Sequence, residues 1–344
     1  MPGKAVTCLA CRHYCVIPDG QTGICGVRQN VNGKLNLLVY GKASGAAVDP
    51  MEKKPLYHFF PGSKIFSLGT IGCNFGCTSC QNWDTSQASK EFRRLALKGQ
   101  IGPQDLKAAI SESGFDLPPK KIVEYCLKHD IKAIAYTYNE PSIFFEYTYD
   151  TAKLAKEHGI SNVYVTNGYT SPEALDKLEG LLDAANIDLK SFSDKFYRDI
   201  SGARLDEVLK SIKYYYDKGI WLEITTLVIP GKNDSKAELT KIAEFIAGID
   251  VNIPWHISRF SPHYLMQDIA ATGKEKLMQA FNIGKKAGLN YVYVGNIFDE
   301  KLHSTYCPIC SALLVERDWD HVKVKSLKKG KCLECGFNIK GVWN

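Results

Sequence analysis

The sequence predicts an α/β fold in which a parallel sheet closes into a partial or full (β/α) barrel. Three observations predict it. From residue 64 onward, short apolar and β-branched runs alternate with amphipathic helical stretches, the pattern of successive βα units. Six or seven such units can be placed, more than a small open sheet holds. The polar residues gather at the C-terminal ends of the expected strands, the edge where βα loops converge.

The expected strands are IFSLGT, IKAIAYTY, NVYVTNG, ANIDLK, WLEITTLVI, PWHISRF and YVYVGN. Between them lie helical patterns: PPKKIVEYCLKH, FEYTYDTAKLAKEHG, SPEALDKLEGLL, LDEVLKSIKYYYDKG, SKAELTKIAEFIAG and EKLMQAFNIGKKAG. Several begin with Ser, Pro or Asp and end in Gly, as helix termini do. Residues 46–62 read as a connector, because Pro50, Pro55 and Pro61 discourage regular structure. The stretch from Glu91 to Leu117 has no clear period and reads as an irregular insertion. Three domains follow: a cysteine-rich metal module over 1–45, the barrel over 60–300, and a second cysteine-rich module over 303–344.

Of the 344 residues, 45% are apolar and 23% charged, an ordinary globular composition. A net charge of +6 is too mild to point to nucleic acid. No signal-peptide core and no apolar run of membrane-spanning length occurs, so a cytoplasmic protein without a membrane partner is expected. In that reducing compartment, closely spaced cysteines bind metal more often than they pair.

The twelve cysteines fall into three groups: Cys8, Cys11, Cys15 and Cys25; Cys73, Cys77 and Cys80; and Cys307, Cys310, Cys332 and Cys335. Only Cys126 stands apart, in an amphipathic helix where a core position is expected. The last group forms two Cys-x2-Cys knuckles 21 residues apart, the spacing of zinc ribbons and rubredoxins. So short a segment needs such an ion, since structural zinc can supply about 10–16 kcal/mol of folding free energy. Zinc and a single iron both remain open there. The first group, C-x2-C-x3-C-x9-C, suits zinc or an auxiliary iron–sulfur cluster.

The middle group sits in GTIGCNFGCTSCQNW with spacing C-x3-C-x2-C, flanked by Gly69, Gly72 and Gly76. Thiolates are the natural ligands of iron–sulfur clusters. Three of them on a four-iron cube leave one iron without a protein ligand, open to chemistry.

This loop resembles the signature of the radical S-adenosylmethionine (radical SAM) superfamily. The resemblance implies a radical SAM barrel, with Cys73, Cys77 and Cys80 as the catalytic ligands of a [4Fe-4S] cluster. The methionine part of S-adenosylmethionine would chelate the fourth iron. Reductive cleavage would yield methionine and a 5′-deoxyadenosyl radical that abstracts hydrogen, an oxidoreductase activity. Ser79 precedes the third cysteine where the superfamily usually carries an aromatic residue; Phe75 and Trp83 are the aromatics nearby.

Further motifs extend the likeness. Thr137 to Pro141, TYNEP, resembles the Gly-Gly-Glu-Pro of pyruvate formate-lyase-activating enzymes, which binds the cofactor's amino group. That assigns Tyr138, Asn139 and Glu140 to the cofactor. Thr166 and Asn167 of TNG, and Asp188 and Lys190 of DLK, resemble the strand edge that meets its carboxylate and ribose. Asp188 and Lys190 alternate with Leu189 and so point to one side, which also suits an internal ion pair. His256 would orient ribose or serve the substrate, and Asn296 of VYVGN would meet adenine. A satisfied core histidine is an equal reading of His256.

The order of these motifs over residues 60–300 resembles most the radical protein of the AmmeMemoRadiSam system, a pyruvate formate-lyase-activating-enzyme-like group. The implied partner is a reductant protein of flavodoxin or ferredoxin type; the substrate is open between a protein whose backbone glycine would lose hydrogen and a small molecule or side chain. Two other classes compete. A zinc-ribbon nucleic-acid-binding protein would rest on Lys323, Lys325, Lys328, Lys329 and Lys331, more often a solvated face. A non-catalytic iron–sulfur electron carrier would bind the cluster without cleaving the cofactor.

Overall fold

Lys64–Gly69 forms the first core strand, β1, and Ala133–Tyr136 (β2) and Ser161–Thr166 (β3) lie beside it in the order β3-β2-β1. Both pairings are parallel, with Phe66 opposite Ile134 and Ser161 opposite Ala133. Every residue of β2 is buried, which is why AIAY reads as a continuous apolar run instead of an alternating one. The short strand Gly45–Pro50 flanks β1. The computed structural model describes residues 4–318 and 321–343; residues 1–3, 319–320 and 344 of the two end modules lie outside it.

The chain divides into two compact units. The first holds residues up to Asp49, Ile65–Asp183 and Ser201–Ala203. It contains β1 to β3 and, among its helices, α1 (Ala88–Leu97), α2 (Pro103–Glu112), α3 (Pro119–Lys128), α4 (Phe145–Glu157) and α5 (Pro172–Lys177). Helices α1 and α2 replace the irregular insertion expected over 91–117. Pro103 stands in the first turn of α2, and Asp105 reaches back to accept from the Gly102 N–H at 2.9 Å. Leu106 and Ile110, one turn apart, are its buried anchors. Two apolar positions on a ten-residue helix leave a period too faint to read from sequence. Cys126 is buried in α3 beside Ile122 and Val123, as expected.

The N-terminal cysteine module belongs to this unit. It is made of two small hairpins, Val6–Thr7 with Val16–Ile17 and Arg28–Val31 with Lys34–Leu37. The Arg12 N–H donates to the Tyr169 carbonyl at 2.9 Å, and Cys11 bridges to Thr170.

The second unit holds Pro50–Lys64, Ala184–Ile200 and the chain from Arg204 onward. Its strands Ala184–Asp188 (β4), Trp221–Val228 (β5), Trp255–Arg259 (β6) and Val292–Gly295 (β7) run parallel in sequence order. Helices α6 (Leu205–Asp217), α7 (Lys236–Ile249) and α8 (Lys274–Lys286) alternate with them. The Ser235 hydroxyl caps α7 by accepting from the Glu238 N–H. The C-terminal cysteine segment packs within the same unit. A three-stranded antiparallel sheet ends in a hairpin, and Leu314, Val315, Leu327 and Ile339 share a core with Tyr57, Tyr291 and Tyr293.

Candidate functional site

Cys73, Cys77 and Cys80 stand on the loop that leaves the C-terminal end of β1 and enters a short helix, Trp83–Ser86. The loop turns at Gly72, whose φ of +93° is left-handed. A Cβ there would lie 2.7 Å from Ser89 Oγ and 2.9 Å from the Cys25 carbonyl, so both the turn and the packing require glycine. The Phe75 N–H points at Cys73 Sγ from 3.4 Å, and Cys80 Sγ lies 3.2 Å from Ser86 Oγ. All three thiols are half-buried. Burial pushes Cys73 well above an ordinary thiol, and the Lys90 ammonium opposes that shift.

Lys90, on α1, is the site residue that sequence reasoning missed. Burial pulls its pKa down, and Cys73, Cys77, Cys25 and Cys80 push it back up. Its Nζ donates to the Phe75 carbonyl. A cation is thus held among the thiols by a helix that carries no motif.

A second layer comes from TYNEP after β2 and TNG after β3. Glu140 is fully buried, and its carboxylate accepts from the Ser142 N–H (3.0 Å), Thr166 Oγ1 (2.9 Å) and the Asn167 N–H (2.8 Å). Burial raises its pKa even so, with these hydrogen bonds pulling the other way. Asn139 Nδ2 donates to the Gly72 carbonyl at 2.7 Å and to Thr70 Oγ1 at 3.1 Å. Asn167 Nδ2 donates to Asn74 Oδ1 at 2.8 Å and lies 3.9 Å from Cys73 Sγ. Tyr138 takes a φ of +66°, its carbonyl receives Asn82 Nδ2 at 2.7 Å, and its hydroxyl reaches Asp49. TYNEP and TNG therefore brace the cysteine loop and each other. Glu140 thereby ties the TYNEP segment to TNG through the Ser142 N–H, the Thr166 hydroxyl and the Asn167 N–H.

The family model of the Radical SAM superfamily matches residues 68–246. The chain belongs to the radical SAM superfamily. Among its relatives, the uncharacterized protein MJ0808 of Methanocaldococcus jannaschii is 38% identical over 97% of this chain and 95% of that protein. The putative glycyl-radical enzyme activating enzyme MJ1632 of the same organism is 28% identical over 67% of this chain and 80% of its own. The pyruvate formate-lyase 1-activating enzyme of Escherichia coli is 25% identical over 51% and 65%. The chain is thus a radical SAM enzyme that resembles activating enzymes.

The residues present fit the radical SAM cluster. Cys73, Cys77 and Cys80 offer three soft donors from one loop, and Gly72 lets that loop pack closely against Ser89 and Cys25. Phe75 does not stand in for the missing aromatic. It is buried against Tyr169, with ring centroids 5.1 Å apart, whereas Trp83 is exposed.

The second unit holds the remaining predicted residues. Asp188 ends β4, and Lys190 Nζ donates to its carboxylate at 2.7 Å in a partly exposed ion pair. Asn296 follows β7 with a φ of +61° and donates to Ser258 Oγ. His256 stands at the start of β6, away from the strand end where it was expected. Its Nε2 is 2.6 Å from the buried Glu223 carboxylate, which also accepts from the Tyr57 and His58 N–H groups. That network makes His256 a satisfied core histidine.

Cys307, Cys310, Cys332 and Cys335 form one metal-sized group, with all four sulfurs within 4.8 Å of one another. Cys307 and Cys335 approach to 3.5 Å, Cys310 and Cys332 to 3.7 Å. Tetrahedral zinc–thiolate bonds of about 2.3 Å separate sulfurs by about 3.8 Å, so these donors are already gathered. After each knuckle the chain turns left-handed, at Ser311 (φ +61°) and Gly336 (φ +76°). Among the described residues no helix is long and apolar enough to cross a membrane.

Proposed function

We propose that this radical SAM enzyme reductively cleaves S-adenosylmethionine and uses the product to abstract hydrogen from a protein substrate. The observation that carries the reading is the three-cysteine loop, braced by Glu140 and Asn139 against the TNG strand end. Bound and reduced, the cluster and cofactor supply methionine and a 5′-deoxyadenosyl radical. Cys73, Cys77 and Cys80 hold three corners of the cluster, and Lys90 favours its more negative, reduced state. Glu140 shapes the Thr166–Gly168 backbone that faces the cofactor. Asp188, Lys190 and Asn296 are assigned to its polar groups, and Tyr138 to its amino end. His256 is withdrawn from that set.

The names of MJ1632 and the pyruvate formate-lyase activator support a glycyl radical enzyme as the substrate. The electron donor is assigned to a flavodoxin- or ferredoxin-type protein. The C-terminal quartet is assigned a structural zinc. Lys325, one of the five lysines behind the nucleic-acid reading, is paired with Glu316 at 2.9 Å.

The test is anaerobic reconstitution, addition of dithionite and S-adenosylmethionine, and assay for 5′-deoxyadenosine. Release from the wild type and none from Cys73→Ala is expected. A reduced, fully loaded wild type that releases none refutes the reading.

A further inference from the structure

The N-terminal quartet differs from the C-terminal one in a way that spacing alone did not reveal. Cys8, Cys11, Cys15 and Cys25 all line one small enclosed cavity of about 10 Å³, walled otherwise by apolar groups such as Ile17, Ile24 and Ile143. Three of the four are buried. Among the described residues, the C-terminal quartet is the one group of three or more Cys, His, Asp or Glu side chains with ligand atoms within 4.8 Å of one another. The N-terminal sulfurs are therefore spread around a space, as the three catalytic sulfurs are. A zinc ion would draw thiolates to about 3.8 Å apart. A cluster places inorganic sulfide and several irons between them and holds them wider.

A second observation concerns a wall of the same cavity. Arg28 lines it and is 4% exposed. Its two terminal nitrogens are spent on Glu146 and the Ile143 carbonyl, yet its Nε is buried with no partner. Cys8 and Cys25 lie close enough for their charge to act on it. A buried N–H left unmade costs about 1–3 kcal/mol, and a cluster sulfur would accept from it.

The module also adjoins the catalytic loop. His13 Nε2 lies 3.0 Å from the Asn74 carbonyl, and Ser89 Oγ donates to the Cys25 carbonyl at 2.7 Å. Asn74 Oδ1 stands 3.7 Å from Cys73 Sγ. Asn74 Nδ2 is buried without a hydrogen-bond partner. Asn74 thus joins the two: its carbonyl meets His13 of the N-terminal module, and its side chain meets Cys73 of the catalytic loop.

We infer that Cys8, Cys11, Cys15 and Cys25 bind an iron–sulfur cluster instead of zinc, with Arg28 Nε donating to it, as a second redox centre one asparagine from the catalytic cysteines. The inference does not depend on cofactor cleavage. Its readout is acid-labile sulfide, which neither zinc nor a single thiolate-bound iron carries.

The full chain carrying Cys73→Ala, Cys77→Ala and Cys80→Ala, prepared anaerobically, is expected to retain about two to four iron per chain with matching sulfide. Its reduced form is expected to show an iron–sulfur EPR signal, displaced to lower potential by Arg28→Met. A triple variant free of sulfide overturns the inference. In the wild type, Cys11→Ser with Cys25→Ser is expected to remove about half the sulfide and leave zinc unchanged. Loss of zinc with sulfide unchanged would refute it. Should either variant fail to fold, the wild type decides: more than about four sulfides per chain supports a second cluster, and four or fewer rejects it.

Discussion

Glu140 shows how a single residue is committed by its surroundings. Three donors from two segments converge on its carboxylate. Glu140→Gln preserves shape but turns an N–H₂ toward backbone N–H groups, leaving buried donors unpaired at about 1–3 kcal/mol. The TNG backbone should shift, so S-adenosylmethionine affinity by equilibrium dialysis is expected to fall about tenfold or more, with cluster sulfide retained. Lys90→Met removes the cation held among the thiols. The reduced cluster carries one more negative charge, so its midpoint potential should move down by tens of millivolts in an EPR redox titration. An unchanged potential would show that Lys90 acts only through packing. Gly72→Ala forces a side chain into a left-handed turn, about 1–2 kcal/mol from the backbone alone. It also presses on Ser89 and Cys25. Reduced sulfide content of both clusters is the expected outcome.

Elements set where these residues can act. The loops after β1, β2 and β3 all leave the same end of parallel strands, so the cysteines, TYNEP and TNG meet although about a hundred residues separate the first from the last. In the C-terminal segment the hairpin and the knuckles are short, and Cys307 and Cys332 belong to the apolar cluster with Tyr57 and Tyr293. Loss of the zinc proposed there would therefore loosen packing as well as ligation. Cys307→Ser with Cys310→Ser is expected to lose about one zinc per chain by mass spectrometry. Amides from 305 to 343 should then exchange faster. Retained protection there would mean that apolar burial alone holds the segment.

At the scale of the whole molecule, acid should weaken the second unit through His58. Its Nδ1 donates to the Lys340 carbonyl, a bond only a donor can make. Nε2 is then the acceptor, receiving the Tyr293 hydroxyl at 2.7 Å. Burial lowers its pKa to about 4, against the pull of Glu223. The native state thus refuses a proton that the unfolded chain takes up below about 6.5. Stability from this group is complete above pH 6.5 and lost as pH falls toward 4, by about 2–3 kcal/mol at pH 4.5. Urea unfolding of wild type and His58→Phe at pH 7 and pH 4.5 tests this. The variant is expected to be weaker at pH 7 but flatter with pH, and metal release, common to both, cancels in the comparison. Equal slopes would locate the acid sensitivity elsewhere.

Ligand identity and strand order were legible in the chain because they are local. C-x3-C-x2-C, the paired knuckles and the alternating βα periods each lie within a few to a few tens of residues, and the side chains name their own chemistry. Only the tertiary structure decided what each residue touches. Lys90 carries no motif, yet α1 delivers it to the thiols. His256 looked like a strand-end ligand until Glu223, 33 residues away, claimed it. The two quartets read alike as four cysteines, but one draws its sulfurs together and the other holds them around a cavity. Those outcomes are distances between groups remote in sequence, set by how strands, helices and hairpins pack, and no local pattern encodes them.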